Sequence, residues 1–279
     1  MSSALDEVVP DPGLFGPESV TWRVHADPLI WLGGVRALLL QAVHPLAMAG
    51  VAGHSQFRSD PWGRLFRTAQ YVGAVSYGTT TEAHRAAARV RGVHRGVVGI
   101  DPVSHRPYRA SDPELLTWVH VTEVDSFLST ARRGGMAISD EEADRYVAEQ
   151  ARAGALLGVP DELVPHSVAE IAGYYQAIRP ELSVGSTARE VLRFVLHPPM
   201  PAKIAYLTPA RPAWYSLGGL AFASLPRWTR RMYGLPGLPT TDLAATAAAR
   251  SLGVALSRLP KRYREGPALV AAKERLGLT

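Results

Sequence analysis

The chain contains no cysteine. That absence removes disulfides, thiolate metal sites, iron–sulfur clusters, cysteine nucleophiles and a cysteine-ligated heme together. Lysine is nearly absent too, with Lys203, Lys261 and Lys273 the only three. Arginine therefore carries almost all of the positive charge behind a net +5. A guanidinium grips carboxylates and phosphates in a fork, so the excess suits an acidic cofactor or a membrane surface. No interleaved basic and aromatic motif marks a nucleic-acid partner. An uninterrupted apolar span is also missing. The longest apolar run, Pro28 to Gly53, is broken by Arg36, Gln41, His44 and Pro45, which favours a buried core segment over a transmembrane helix. Peripheral contact with a membrane stays compatible with the arginine excess. The opening MSSALDEVVPDPGLFGPES lacks a basic n-region and an apolar h-region, so it does not read as a signal peptide and cytoplasm is the default expectation.

Several catalytic signatures are missing as well. The chain has no HExxH, no Glu-x-x-His pair of the di-iron type, no GxSxG, no phosphate-binding loop and no GxGxxG after a strand. These gaps argue against zinc peptidases, di-iron oxygenases, α/β-hydrolases and nucleotide-binding enzymes.

What is present is a helical chain of 279 residues, 47% hydrophobic and 20% charged, large enough to bury a full core. Residues 1–28 read as an extended leader, with prolines at 10, 12, 17 and 28. Residues 29–279 read as one all-α globular domain of around ten helices. Cap signals punctuate it. Asp60-Pro61 opens a helix to about Tyr77, and Thr79–Thr81 opens one to about Val98. Ser111-Asp112-Pro113-Glu114 opens another to Gly134. Ser139-Asp140-Glu141-Glu142 is a capping box for a helix ending at Leu157-Gly158. Further helices are expected near 166–178, 187–196, 210–225, 241–258 and 268–275, with Asp101 to Ala110 as a loop. No β-branched alternation or fixed-period repeat appears.

Nine histidines are the chemistry left to place. His25, His84, His105, His166 and His197 fall on surface, loop or helix-end positions. His44, His54, His94 and His120 fall on inward-facing segments. His94 shares a helical face with Ala87, Val90, Val97 and Val98, while Arg85, Arg89 and Arg95 lie elsewhere. His120 lies with Leu116, Val124 and Phe127, and Glu123 at i+3 is placed to orient it. Arg64, Thr68 and Tyr71 form one stripe, with Arg67 adjacent. From the residues alone each of these patterns also fits a satisfied core histidine or a solvated arginine face.

The string ALLLQAVHPLAMAGVAGHSQF, then DPWGRLFRT, RVRGVHRGVVG and YRASDPELLTWVH, resembles the catalytic domain shared by rubber oxygenase and the fungal ER-bound oxygenase MpaB. The resemblance covers roughly Trp31 to Tyr175. It implies a globin-reminiscent helical fold around heme b, and oxidation of a small apolar, isoprenoid-like substrate with O₂. In rubber oxygenase the proximal histidine follows an arginine by three positions. Arg91-Gly92-Val93-His94 matches, which assigns iron ligation to His94 and a supporting role to Arg91. The distal arginine, lysine and threonine correspond to Arg64, Arg67 and Thr68, with arginine in place of lysine. An arginine is a poor ligand because its pKa exceeds about 12, so an open distal site is expected. The region of the family's distal glutamate, Ala47 to Ser55, has no acid, and His44 and His54 are the titratable groups nearby. By this reading Arg64, Arg67, Thr68 and His120 serve catalysis, and His94, Arg91, Arg64, His44 and His54 serve the cofactor. Two other readings remain open. One is a non-heme centre built from His44, His54, His94 and His120, and the other is a non-catalytic carrier of heme or an apolar ligand.

Overall fold

Caps decide where most of the long helices begin. In the computed structural model, which describes residues 10–55 and 58–278, the Asp60 carboxylate accepts from Gly63 N–H and starts α4, Pro61–Tyr77. Capping boxes at Thr79/Glu82 and Ser139/Glu142 start α5, Thr80–Arg95, and α7, Asp140–Leu157. Asp112 starts α6, Pro113–Arg133, which stops at Gly134. Before these lie α1, Val20–His25, α2, Ile30–Gln41, and α3, Pro45–His54. After them come α8, Val168–Ile178, α9, Ser186–Leu196, α10, Ala202–Leu207, and α11, Ala210–Ala223. The chain closes with α12, Arg227–Met232, α13, Pro239–Ser257, α14, Lys261–Arg264, and α15, Pro267–Arg275. The all-α expectation holds. The short helices α1, α10, α12 and α14 account for most of the excess over the expected ten or so among the described residues, because a four- to six-residue helix shows no periodicity to count.

Three expectations change. The helix expected to reach Val98 ends at Arg95, and Val98–Ile100 (β1) pairs antiparallel with Pro107–Arg109 (β2). Val97 and Val98 therefore leave the helical face of His94. Three-residue strands are too short for alternation to register. The tip of this hairpin is held locally, with Asp101 accepting from Ser104 N–H at 2.9 Å and from Ser104 Oγ at 2.5 Å. The expected extended leader is helical over Val20–His25, and Val20 and Val24 enter the main core. Glu149 on α7 caps that helix, accepting from Val20 N–H (3.2 Å), Thr21 N–H (2.8 Å) and Thr21 Oγ1 (2.8 Å). His25, expected near the surface, is buried. Residues 1–9 lie outside the described residues.

One core draws on α1, α2, α6, α7, α8, α9, α11 and α13. Its spine is α2 packed along α6. Gly33 allows that approach, since a Cβ there would stand 2.8 Å from Phe127 Cδ1 and 3.3 Å from Ser126 O. Arg36, only 3% exposed, interrupts the apolar run as the sequence shows and is satisfied inside. It pairs with Asp125 at 2.9 Å, donates to Ser126 Oγ at 2.6 Å, and reaches Ser224 O at 3.3 Å. No single helix among the described residues is long and apolar enough to cross a membrane, and only α2 with α3, bent by 104°, passes as a pair.

The α2–α6 contact makes a direct prediction. Gly33→Ala should destabilise the protein by about 1–3 kcal/mol through overpacking on Phe127. Gly34→Ala, whose nearest neighbour would be Phe127 Cε1 at 4.0 Å, should be neutral or stabilise by up to about 1 kcal/mol. Urea unfolding of both variants checks this, and equal shifts would remove close helix approach as the reason for Gly33.

Candidate active site

Antiparallel packing of α4 on α5 places the predicted residues. The turn between them is Gly78-Thr79, secured from the leader by Asp11, which accepts from Thr80 N–H at 2.8 Å. Arg64 lies 14 residues before Gly78 and His94 lies 15 after Thr79. At 1.5 Å rise per residue both stand roughly 20 Å from the turn. The hairpin thus carries Arg64 and His94 at the same, open end.

At that end His94 is half-buried, and burial pushes its pKa below the ordinary 6.5. Its ring is therefore neutral at physiological pH, and no hydrogen bond engages it among the described residues. Arg91, one turn earlier, donates to the Leu156 carbonyl of α7. Arg64 is half-buried, with its pKa lowered by burial and by the neighbouring Arg67, and it has no hydrogen-bond partner for its guanidinium among the described residues. Arg67 points outward and pairs with Asp60 at 3.0 Å. Thr68 is exposed, and its hydroxyl bonds back to Arg64 O at 3.1 Å.

The remaining histidines separate. His44 caps α3, its Nδ1 accepting from Ala47 N–H at 3.4 Å, with its ring beside Trp118. His54 is exposed and meets the Val98 carbonyl at 3.1 Å. His120 lies deeper, its ring against Gly154, where a Cβ would come within 3.3 Å of Nε2. Among the described residues no three His, Asp or Glu side chains converge to hold a metal ion. The proposed four-histidine centre therefore has no cluster to stand on there.

Behind the hairpin the structure forms a chamber that sequence patterns point to only in part. A cavity of about 40 Å³ is walled by Val72 and Val75 of α4 and by Val119 and Val124 of α6. Its polar lining is Tyr71, His120, Glu123, Gln150, His25 and Ser76. Burial drives His120 down to about 4 and His25 down to about 3, and drives the Glu123 carboxyl up to about 7. His25 is engaged on both nitrogens, with Ser76 Oγ at 2.6 Å and the Tyr146 hydroxyl at 3.0 Å. The Tyr71 hydroxyl is buried with no partner. Glu123 does not bond to His120 as its i+3 position suggested, and both face the cavity. A space of this size with several polar groups suits one or two waters. His25, Ser76 and Gln150 escape the sequence reading because they come from helices brought together only by packing.

The sequence model of the ER-bound oxygenase mpaB/B′ and rubber oxygenase catalytic domain matches residues 22–258. The chain belongs to this family. Membership accounts for the ordered strings around Arg64, Arg91 and His94, and it makes this an oxygenase-family chain. Among solved structures, latex clearing protein in its closed state is similar at a TM-score of 0.49 and 18% identity, over 99% of this chain and 75% of that one. No curated protein matches in sequence.

The chamber's electrostatics yield a pH prediction. A carboxyl whose folded pKa is raised from 4.5 to about 7 costs stability as pH climbs through that window. Glu123→Gln should therefore stabilise the fold on the order of 3 kcal/mol at pH 8 and hardly at all at pH 4. The lowered histidines act in the opposite direction, costing stability as pH falls below 6.5. Thermal melts of both proteins across pH test this, and a gain independent of pH would refute a buried, titrating Glu123.

Proposed function

We propose that this protein is a heme-b-dependent oxygenase that uses O₂ to oxidise a small apolar, isoprenoid-like molecule. The observation that carries the reading is His94, a neutral and partly desolvated imidazole without a hydrogen-bond partner among the described residues, on the open end of α5 with Arg91 one turn before it. That is the position the family pattern reserves for its proximal histidine.

The residues present fit the cofactor in kind. A heme needs a neutral imidazole donor and cations for its two carboxylates. His94 is the donor. Arg64, desolvated and without a hydrogen-bond partner among the described residues, is the cation in want of an anion, and burying it unpaired would be costly. Arg91 is tied to α7 and positions the helix that bears His94. When bound, heme would supply the centre for O₂ chemistry that no side chain of a cysteine-free chain provides.

The chain's own residues account for the rest. Val72, Val75, Val119 and Val124 present apolar walls to the chamber. Glu123, with a pKa near neutrality, holds a proton on its carboxyl about half of the time at pH 7 and serves equally as donor and acceptor. His120 stays neutral throughout this range. The outward turn of Arg67 toward Asp60 leaves Arg64 as the cation that stays desolvated at this end of α4. Cytoplasmic residence is part of the proposal. The carrier reading shares the ligand and differs only in lacking turnover.

Heme titration of the purified protein tests the cofactor. Wild type should develop a Soret band with one equivalent bound. His94→Ala should shift or lose that band, and Arg64→Ala should weaken binding about tenfold or more, the cost of one desolvated charge pair. An unchanged spectrum in His94→Ala would end the assignment. O₂ consumption with a reductant and terpenoid substrates separates an oxygenase from a carrier.

A further inference from the structure

From Val191 to Thr241 the chain contains no aspartate or glutamate, yet it includes Arg193, Lys203, Arg211, Arg227, Arg230 and Arg231. Inside this stretch α10 stands out from the fold. Ile204 is 46% exposed, Tyr206 75% and Leu207 80%. Of its six residues only Ala205 is partly covered. Beside it Tyr215 of α11 is also exposed, and a groove of about 590 Å³ runs between the two helices.

The base of this projection is firmly held. Trp214 Nε1 donates to Val195 O at 2.8 Å, and Trp62 Nε1 donates to Pro199 O at 2.8 Å. Gly218 lies so close to the Val195 carbonyl that a Cβ would come within 2.9 Å of it. The apolar side chains are thus displayed by an anchored platform. Lys203 and Arg211 flank them without an ion-pair partner among the described residues, and the Arg211 guanidinium lies 5.6 Å from the Tyr206 ring centre.

We propose that the α10–α11 face docks on a lipid bilayer carrying anionic headgroups. Exposed tyrosine, leucine and isoleucine beside cations without ion-pair partners, in a stretch of chain without an acid, are the composition that such an interface selects. Tyrosine suits the boundary because its ring is apolar and its hydroxyl stays wet. Charge argues against a second copy as the occupant, since two faces displaying Lys203 and Arg211 would repel. The face also adjoins the site. Trp62, which binds Pro199, is two residues before Arg64 on α4, so docking would bring the open end of the α4–α5 hairpin near a membrane in which apolar molecules dissolve. Docking itself does not depend on the heme reading.

Sedimentation of the full chain with vesicles tests the proposal. The protein should pellet with mixed phosphatidylglycerol–phosphatidylcholine vesicles and much less with phosphatidylcholine alone, and the difference should fade with salt. Tyr206→Ser with Leu207→Ser should weaken binding about tenfold or more. Lys203→Gln with Arg211→Gln should weaken it roughly 25-fold, about fivefold per cation. Val103→Ser, equally exposed on the β-hairpin, should change nothing. All of these positions are on the surface, so the variants should melt like wild type. Three outcomes would overturn the proposal. They are failure to pellet with anionic vesicles, binding indifferent to both double substitutions, and a concentration-dependent dimer that Tyr206→Ser/Leu207→Ser dissociates.

Discussion

One of two deeply buried guanidiniums, that of Arg36, ties the central helices of this molecule together. Arg36 sits among leucines and valines and is almost wholly shielded from water. A charge in that place is tolerable only if its donors are met. Asp125 and Ser126 of α6 meet them, together with the carbonyl of Ser224 at the end of α11. Tyr175 of α8 joins by donating to the same Asp125 carboxylate at 3.2 Å. One ionic group thereby fixes the register of four helices. Gly33 lets α2 approach closely enough for the bonds to form. Removing either partner would strand the other in an apolar interior.

The placement of the candidate site follows from that arrangement. With α2 and α6 locked, α6 offers its other face to α4 and α7, and the chamber holding His120, Glu123 and Tyr71 opens between them. The α4–α5 hairpin then rests on α7, where Arg91 grips the carbonyl of Leu156. The far end is closed by α15, whose Arg275 binds the Tyr77 carbonyl at 2.8 Å as α4 ends. At the opposite end stand His94 and Arg64, whose side chains make no hydrogen bond among the described residues.

Much of the fold was legible in the chain. Asp60, Thr79, Asp112 and Ser139 mark helix starts within a residue, because a cap is a local hydrogen bond between neighbours. His94 does lie on the expected helix, one turn after Arg91, although Val97 and Val98 leave its face. The site's membership was less legible. His44 and His54 share an apolar neighbourhood with His94 in sequence but cap a helix and meet a strand carbonyl in space. Arg67 looked like a distal residue and instead turns to Asp60. His25 looked peripheral because six residues of helix between prolines carry no visible period, yet it bonds Ser76 and Tyr146 in the interior.

Composition and local pattern by themselves determined that this chain is helical and free of thiol chemistry, and they narrowed nine histidines to four candidates on apolar segments. Those properties depend on residue type and on spacings of three or four, which a helix converts to geometry without help from the rest of the chain. Only the tertiary structure decided which polar groups would be satisfied. Whether Arg36 is a core anchor, Glu123 a carboxyl titrating near neutrality, or Tyr206 an exposed anchor depends on what residues a hundred positions away supply or withhold. Desolvation is set by packing, and packing is not local.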